Sequence, residues 1–479
     1  MKKVLAILLI LLVAGTGAPR AAAAGYELPE GMTITAAEVY VINLDTGQVV
    51  YEKDADTPRS VASLTKLMTA LLLMENVPDL ENTMITAERL LYVGDLIAPG
   101  SSTADIRPGE QVSALNMLYA MMLPSANEAA EAVGYYLSGG NLENFYALMN
   151  ARAQELGCTN TQFSSTNGLK DQEDGNWSTA HDIALIAQAC WQYEIFRTVC
   201  GTQMHWMPFT SNSAHDSAAY PEQNPDAAYY ILSTNRMMDP GASVYRSYIK
   251  GIKTGSTYAA GRNFVSAAVN DAGESFIAAV LGCPWDAAED GYAYTFHDTA
   301  ALYDWIFDSF SVRPTLDPSV PITEVRVNWS AGADTLALAP ADDLVTFLPN
   351  DSEGAIEQTF DVPQEVDAPI AAGDVLGTVT LSLSGSEIGT VDLVATQDVE
   401  RSLFLYVMSQ LGNFFTGTYV RVVAVLTALF LAGYAGLAVH MARRQRAQRR
   451  RGRYHSGGFD APDDARRRNT QYGKEDEDR

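Results

Sequence analysis

The sequence contains a serine and a lysine whose spacing suits acyl-transfer chemistry, in the segment Ser63-Leu64-Thr65-Lys66. An apolar run, LMTALLLM, follows directly and is predicted to form a buried helix. Positions three apart lie on one face of a helix, so the Lys66 amine would reach the Ser63 hydroxyl. Burial lowers the pKa of a lysine, and a neutral lysine is a competent general base. Taken alone, the motif is equally compatible with a helix N-cap and a solvated lysine.

Two further segments combine hydroxyl, amide and ammonium groups. The sequence PSAN at residues 124–127 supplies Ser125 and Asn127 between two helical patterns, and Lys253-Thr254-Gly255 ends a predicted strand. As purely structural features, PSAN is a turn with an N-cap, and Lys253-Thr254-Gly255 is a strand end with a turn glycine. As a chemical feature, PSAN would place a hydroxyl and an amide in a cleft. The second supplies a cation and a hydroxyl for a carboxylate, and the glycine leaves room for a ligand backbone.

These segments must be positioned by a scaffold, and hydrophobic periodicity predicts a mixed one. A hairpin is predicted over 38–53, turning at Asp45-Thr46-Gly47. Residues 201–232, rich in proline, serine and aromatic residues, are interpreted as a long loop. The order of elements predicts an α+β domain with an antiparallel sheet. Helices are expected near 63–75, 113–122, 128–136, 142–156, 180–193 and 300–307, and further strands near 245–252, 263–268 and 275–283.

The remaining segments divide the chain further. Residues 1–24 have the basic start and short apolar stretch of a secretory signal peptide, and 25–312 would be the catalytic domain. Residues 313–400 alternate apolar and polar positions, which predicts a small all-β domain. An amphipathic lead-in at 401–421 precedes a predicted transmembrane helix at 422–441 and a basic tail at 442–479. By the positive-inside bias the tail is cytoplasmic and the catalytic domain extracytoplasmic, on a single-pass protein of the cell membrane.

Charge is unevenly distributed. From residue 443 onward there are 12 basic and 7 acidic residues, so 20 basic and 51 acidic residues remain in the rest of the chain. A segment this acidic is a poor partner for nucleic acid. The arginine-rich tail favours anionic lipid.

Cysteine and histidine offer no metal site. The four cysteines form no C-x-x-C pair, and the histidines have no metal-ligand spacing. Export would permit disulfides, but buried thiols are equally compatible with Cys158, Cys190, Cys200 and Cys283. His181-Asp182 could belong to a Ser-His-Asp hydrolase, but the sequence has no G-x-S-x-G element to support one.

In chain order, Ser-x-x-Lys, Ser-Ala-Asn and Lys-Thr-Gly form the combined motif of penicillin-binding proteins and β-lactamases. The chain resembles D-alanyl-D-alanine carboxypeptidases of the low-molecular-mass penicillin-binding protein family over residues 36–283. Matching text includes ASLTKLMTA, LPSANEAAEAV, TQFSSTNGL and GIKTGSTYAAGRNFVSAA. APIAAGDVLGTVTL resembles the family's β-rich C-terminal domain. The predicted membrane span is a departure, since many members use only an amphipathic helix.

The resemblance implies a β-lactamase/transpeptidase-like fold and a role for each motif residue. Ser63 would be the nucleophile that attacks the penultimate D-alanine of peptidoglycan stem peptides, and Lys66 would accept its proton. Ser125 would relay a proton to the leaving D-alanine. The peptide and its terminal carboxylate would be bound by Asn127, Lys253, Thr254, Gly255 and Ser256. The backbone N–H groups of Ser63 and Ser256 would form the oxyanion hole.

The resemblance further implies covalent inhibition by β-lactam antibiotics, and no cofactor. Two alternatives remain open. A serine β-lactamase shares the three motifs, although the β-rich domain and the membrane span argue against it. The other is a catalytically silent wall-binding or sensor protein.

Overall fold

The computed structural model describes residues 26–208, 228–352, 355–383 and 386–452. The predicted signal peptide lies outside these residues, as does most of the predicted basic tail. The described residues form two compact units. Of the described residues, the larger unit holds those up to Arg326, Thr335–Val366 and Ile370–Asp398, and the smaller holds Val327–Asp334, Asp367–Pro369 and those from Val399 onward. The predicted boundary between the catalytic and β-rich domains therefore falls inside the larger unit, and it stays a prediction.

A five-stranded antiparallel sheet forms the centre of the larger unit. The predicted hairpin is confirmed: β1 pairs with β2 around the turn at residues 45–47. The strand order is β2-β1-β9-β8-β7, so the first strands of the chain pair with the last strand of this sheet. The strands are β1 (Glu38–Asn43), β2 (Val49–Lys53), β7 (Ile249–Thr257), β8 (Gly261–Val269) and β9 (Ser275–Cys283).

Both faces of the sheet are covered, because alternate residues of each strand enter different cores. In β9, Ile277 and Ala279 face one cluster, whereas Phe276 and Ala278 face the other. Six helices pack on the first face: α1 (Lys66–Asn76), α2 (Ala114–Met122), α3 (Asn127–Leu137), α4 (Leu142–Glu155), α5 (Ala180–Trp191) and α6 (Glu194–Cys200). A single helix, α7 (Tyr294–Ser309), packs on the second. The predicted α+β class is confirmed.

Two small ribbons lie beside the helices. The first pairs β3 (Met84–Thr86) with β4 (Gln111–Ser113). The second pairs β5 (Met204–Pro208) with β6 (Ala228–Leu232), within the segment predicted to be a loop. That prediction was wrong for these two strands. Their exposed face is apolar, so the polar alternation that signals a surface strand is absent. Residues 209–227 of the predicted loop lie outside the described residues.

The β-rich segment begins at β10 (Phe310–Leu316), which pairs with β13 (Leu344–Pro349). Phe347 of β13 is fully buried, and its ring lies 5.3 Å from Phe276 of the central sheet and 5.2 Å from Phe310. The predicted all-β character is confirmed. A six-stranded sheet has the order β14-β16-β17-β12-β11-β15 and consists of β11 (Thr323–Asn328), β12 (Thr335–Pro340), β14 (Ile356–Asp361), β15 (Glu365–Asp367), β16 (Val375–Leu383) and β17 (Ser386–Ala395).

Two helices complete the smaller unit. The helix α8 (Leu403–Thr416) contains no charged residue, and Gly417 separates it from α9 (Thr418–Gly452). Among the described residues, one helical stretch, Thr418–Gln448, is long and apolar enough to cross a membrane. It contains the predicted span at 422–441.

Candidate active site

Ser63 lies in a tight 3-10 turn, Ala62–Thr65, and Lys66 is the first residue of α1. The regular helix therefore begins three residues later than the sequence predicts. A 3-10 turn places residues i and i+3 directly above one another, so the pair still meets. The Lys66 Nζ lies 2.9 Å from the Ser63 Oγ. Ala62 has a φ of +49°, a strained value of the kind that concentrates at functional sites.

The surroundings of Lys66 favour its neutral form. Its amine is fully buried and also lies 2.8 Å from the Asn127 Oδ1 and 2.8 Å from the Asn167 carbonyl oxygen. Both oxygens only accept hydrogen bonds, so a neutral amine donates one N–H to each and directs its lone pair at the Ser63 hydroxyl. Burial, and then the charge of Lys253, lower the pKa of Lys66 well below 10.5.

Two carboxyl groups of α3, the buried Glu128 and the partly buried Glu131, oppose this shift. Glu128 and Glu131 raise the pKa of Lys66, but burial raises the pKa of each carboxyl group as well, which weakens their effect at low pH. Glu128 accepts hydrogen bonds from the Thr103 hydroxyl and the Ala104 N–H. These two acids were not predicted from the sequence, because a glutamate in a helix is ordinarily solvated.

The segment between α2 and α3 brings Ser125 and Asn127 into the site. Ser125 has a φ of +68°, and its buried hydroxyl has no hydrogen-bond partner within the described part of the chain. A buried hydroxyl left in this state is available to a ligand. Asn127 begins α3, and its Nδ2 donates to the Ser101 Oγ at 2.8 Å. One amide side chain thus connects Lys66 to the loop that contains Ser101.

Strand β7 supplies the third group. The Lys253 side chain is almost completely buried, its amine donates to the Thr254 carbonyl at 2.9 Å, and burial lowers its pKa to about 7. A Cβ on Gly255 would come within 3.1 Å of the Ser63 nitrogen and 2.8 Å of the Val61 oxygen. Only glycine lets the strand approach the serine turn this closely.

A cavity of about 300 Å³ opens beside this strand. Thr254, Ser256 and Asn263 line it, and the Asn263 Nδ2 is buried without a partner among the described residues. The Thr254 hydroxyl lies 2.6 Å from the Thr234 hydroxyl. The three motifs therefore meet at one site: Lys66 contacts Ser63 and Asn127, and Gly255 lies against the Ser63 turn beside this cavity.

The loop that follows α4 was not identified as part of the site. The Asn167 carbonyl bonds Lys66, and Gly168, with a φ of +83°, lies against the serine turn. A Cβ on Gly168 would come within 1.8 Å of the Ala62 oxygen. Gly168, in the segment TQFSSTNGL, was the only feature of the sequence that could have indicated this loop. The role of the Asn167 carbonyl could not be predicted, because every residue type has a backbone carbonyl.

The remaining cysteine and histidine candidates do not form a second reactive group, although Cys200 lies close enough to Lys253 to affect its pKa. All four cysteines are buried free thiols. His181 bonds Asp56 at 3.0 Å and stacks on Tyr40, whereas Asp182 accepts from the Asn160 N–H. The His181–Asp182 pair therefore does not form the relay of a Ser-His-Asp hydrolase. Among the described residues, no group of three or more His, Cys, Asp or Glu side chains could hold a metal ion.

An antiparallel sheet between two helical layers, with a serine and a buried lysine at the start of a helix, defines a serine-type peptidase of the penicillin-binding-protein class. Residues 26–284 match the family Peptidase_S11, D-alanyl-D-alanine carboxypeptidase, and the chain belongs to this family. Residues 319–401 match the C-terminal domain of penicillin-binding protein 5.

Individual relatives extend over most of the chain. D-alanyl-D-alanine carboxypeptidase DacF from Bacillus subtilis is 26% identical over 411 residues, which cover 85% of this chain and 96% of the relative. The crystal structure of the carboxypeptidase DacD from Francisella tularensis superimposes with a TM-score of 0.61 at 24% identity. It covers 79% of this chain and 97% of that one. The structure of penicillin-binding protein 5 from Haemophilus influenzae superimposes with a TM-score of 0.57 at 24% identity. It covers 79% of this chain and 100% of that one. At this identity, the two structures support the fold alone.

Proposed function

We propose that the chain removes the terminal D-alanine from peptidoglycan stem peptides through an acyl-enzyme on Ser63. The observation that carries this proposal is the pairing of the Ser63 hydroxyl with the Lys66 amine at 2.9 Å, inside a site that lowers the pKa of Lys66. A neutral amine accepts the hydroxyl proton as the serine oxygen attacks.

In the acylation step, the Ser63 Oγ bonds to the carbonyl carbon of the penultimate D-alanine, and its proton passes to the Lys66 Nζ. The backbone N–H groups of Ser63 and Ser256 donate to the oxygen that becomes negatively charged. Removing one such donor typically costs about 3 kcal/mol of transition-state stabilisation. When the tetrahedral intermediate collapses, the C–N bond breaks and the departing amine takes a proton through Ser125. The unpaired, buried hydroxyl of Ser125 supports this role.

The other side chains hold the substrate. Lys253 and Thr254 bind the terminal carboxylate, Asn127 holds the peptide amide, and Gly255 gives the peptide backbone room to lie along β7. Water then attacks the ester carbon, and the Ser63 oxygen leaves with a proton, which regenerates the free enzyme. β-lactam antibiotics, whose strained amide mimics the scissile bond, acylate the same serine and block the site.

The apolar stretch Thr418–Gln448 supports anchoring in the cell membrane. The arginines that follow it favour a cytoplasmic tail, which would put the catalytic domain on the extracytoplasmic face. This orientation would put the site on the side of the membrane where peptidoglycan is assembled.

The test is mass spectrometry of the intact, folded chain after exposure to penicillin, with peptide mapping of the adduct. We expect one adduct, on Ser63, and none on Ser63→Ala. Release of D-alanine from a peptide ending in D-Ala-D-Ala is measured in parallel on both proteins. An adduct on another residue would refute the assignment of the nucleophile.

The same experiment separates the alternatives. A stable adduct together with D-alanine release supports a carboxypeptidase, whereas rapid loss of the adduct with turnover of penicillin identifies a β-lactamase. Folded protein that forms no adduct and releases no D-alanine would be a silent wall-binding protein.

A further inference from the structure

The β5–β6 ribbon presents an apolar face to solvent. Met204, Trp206, Tyr230 and Leu232 lie on this face, with exposed fractions of 47%, 55%, 56% and 52%. They form two cross-strand pairs, Met204 with Leu232 and Trp206 with Tyr230. The opposite face of the ribbon is buried against the helices. These large, half-exposed side chains form an exposed apolar patch. Patches of this kind often mark interaction sites on protein surfaces.

The patch forms one wall of a groove of about 910 Å³. The Trp206 and Tyr230 rings lie 5.7 Å apart with an interplanar angle of 74°, so one aromatic ring meets the other edge-on. Thr103, Asp105 and Pro124 line the other side. The groove therefore joins aromatic surface to a few hydroxyl and carboxylate groups, the usual composition of a small-ligand site.

The groove is continuous with the candidate active site. Thr234 and Arg236 line both this groove and the smaller cavity at β7. The Thr234 hydroxyl contacts the Thr254 hydroxyl at 2.6 Å, and Pro124 immediately precedes Ser125. A ligand in the groove would therefore lie beside a peptide bound in the cleft.

We propose that this aromatic groove binds a sugar ring of the peptidoglycan glycan strand. The inference rests on the proposed function, because the stem peptide cut at Ser63 is covalently attached to an amino sugar. A pyranose ring has apolar C–H faces that pack on aromatic rings, and its rim of hydroxyl groups pairs with threonine and carboxylate oxygens. Trp206 and Tyr230 supply the first kind of contact, and Thr103, Asp105 and Thr234 supply the second.

The test compares two substrates with the full-length protein in detergent. One is a free pentapeptide ending in D-Ala-D-Ala, and the other is the same pentapeptide attached to its disaccharide. We expect the disaccharide to lower KM by about five- to tenfold, as one aromatic contact accounts for a change of this order. Trp206→Ala should raise KM for the glycosylated substrate to that of the free peptide while leaving kcat unchanged.

Met204→Ala is the matched control, because Met204 lies on the same face of the ribbon but does not line the groove. Equal KM values for the two substrates in the wild type, or an equal loss on both in Trp206→Ala, would overturn the inference. If neither substrate is hydrolysed, the proposed function fails. Calorimetric titration of the peptide-free disaccharide then decides the inference separately: binding that Trp206→Ala abolishes supports it, and no binding refutes it.

A second copy of the chain is the other possible occupant. If it covers the groove, Trp206→Ala shifts the protein from dimer to monomer in sedimentation experiments, and this result contradicts the sugar assignment.

Discussion

The protonation state of Lys66 is decided by the groups that face its amine. The Asn127 Oδ1 and the Asn167 carbonyl oxygen accept hydrogen bonds from its N–H groups, and the Ser63 hydroxyl lies at its third contact. The neutral form satisfies all three positions without placing a charge in a buried site. The chemistry of the cleft therefore depends on acceptors contributed by α3 and by the loop at residue 167.

The first prediction concerns pH. Acylation of Ser63 by a β-lactam should rise as Lys66 loses its proton and reach a plateau well below pH 10, because the pKa of Lys66 lies well below 10.5. Lys66→Met should lower the plateau rate by about 10²- to 10⁴-fold, the usual contribution of a general base. Stopped-flow measurement of acylation from pH 5 to about pH 10.4, the pKa of an unperturbed lysine, checks the pH dependence and the effect of Lys66→Met. A wild-type rate that still climbs at the upper end would count against a neutral Lys66.

The second prediction concerns stability. Burial holds the pKa of Lys253 at about 7, whereas in the unfolded chain a lysine titrates near about 10.4. Between these values the unfolded chain binds more protons, so the free energy of unfolding rises with pH. The wild type should gain stability relative to Lys253→Met between pH 7 and about pH 8.5, before free thiols begin to titrate. Urea unfolding at several pH values measures this difference, and parallel curves for the two proteins would argue against it.

The third prediction concerns Gly168, whose positive φ and contact with Ala62 both exclude a side chain. Gly168→Ala should lower the free energy of unfolding by about 2 kcal/mol more than Gly157→Ala and slow acylation of Ser63. Gly157 is the control, because it has a φ of +85° but open space around its Cα. Equal losses would mean that the backbone conformation alone matters. Chemical denaturation and acylation rates give the two readouts.

At the scale of elements, the two faces of the central sheet explain why most helices and strands were predictable. The strands alternate between two cores, and the helices have continuous apolar stripes, so periodicity locates both. The Ser63–Lys66 pair followed from spacing. Asn167 did not, because its contribution is a carbonyl brought to Lys66 by the fold. The β5–β6 ribbon was not predicted either, since Trp206 and Tyr230 lie on its exposed face.

The fourth prediction concerns the attachment of the β-rich segment. Phe347 of β13 is fully buried against Phe276 and Phe310. Phe347→Ala should lower the free energy of unfolding by about 3 to 5 kcal/mol, as expected when a buried phenylalanine leaves a cavity. Phe360→Ala, at an exposed position of β14, should change it by less than about 0.5 kcal/mol. Denaturant melts of both variants measure the difference, and similar effects would show that this aromatic cluster is not a main attachment.

At the scale of the whole molecule, the chain combines a compact larger unit with two terminal helices of exposed apolar surface. The helix α8 has no charged residue, and α9 contains the apolar stretch long enough to cross a membrane. Membrane attachment should therefore depend on the residues after Arg401.

The fifth prediction follows from this division. A chain ending at Arg401 should be found in the soluble fraction and retain kcat/KM on a free pentapeptide. A chain ending at Gly417, which keeps α8, should bind lipid vesicles but be released by detergent more easily than the full chain. Flotation with vesicles and D-alanine release measure these properties. Membrane retention of the shorter chain would place the anchor elsewhere.

The pairing of β1 with β9 has a consequence for biosynthesis. Glu38 faces Leu281 across this pair, so the two strands can join only after the whole intervening chain has been synthesised. Contacts this distant in sequence form slowly, so the sheet that contains Lys253 is expected to be complete only after Cys283 has been synthesised. We therefore expect Ser63 to become reactive only after synthesis of the chain has passed Cys283.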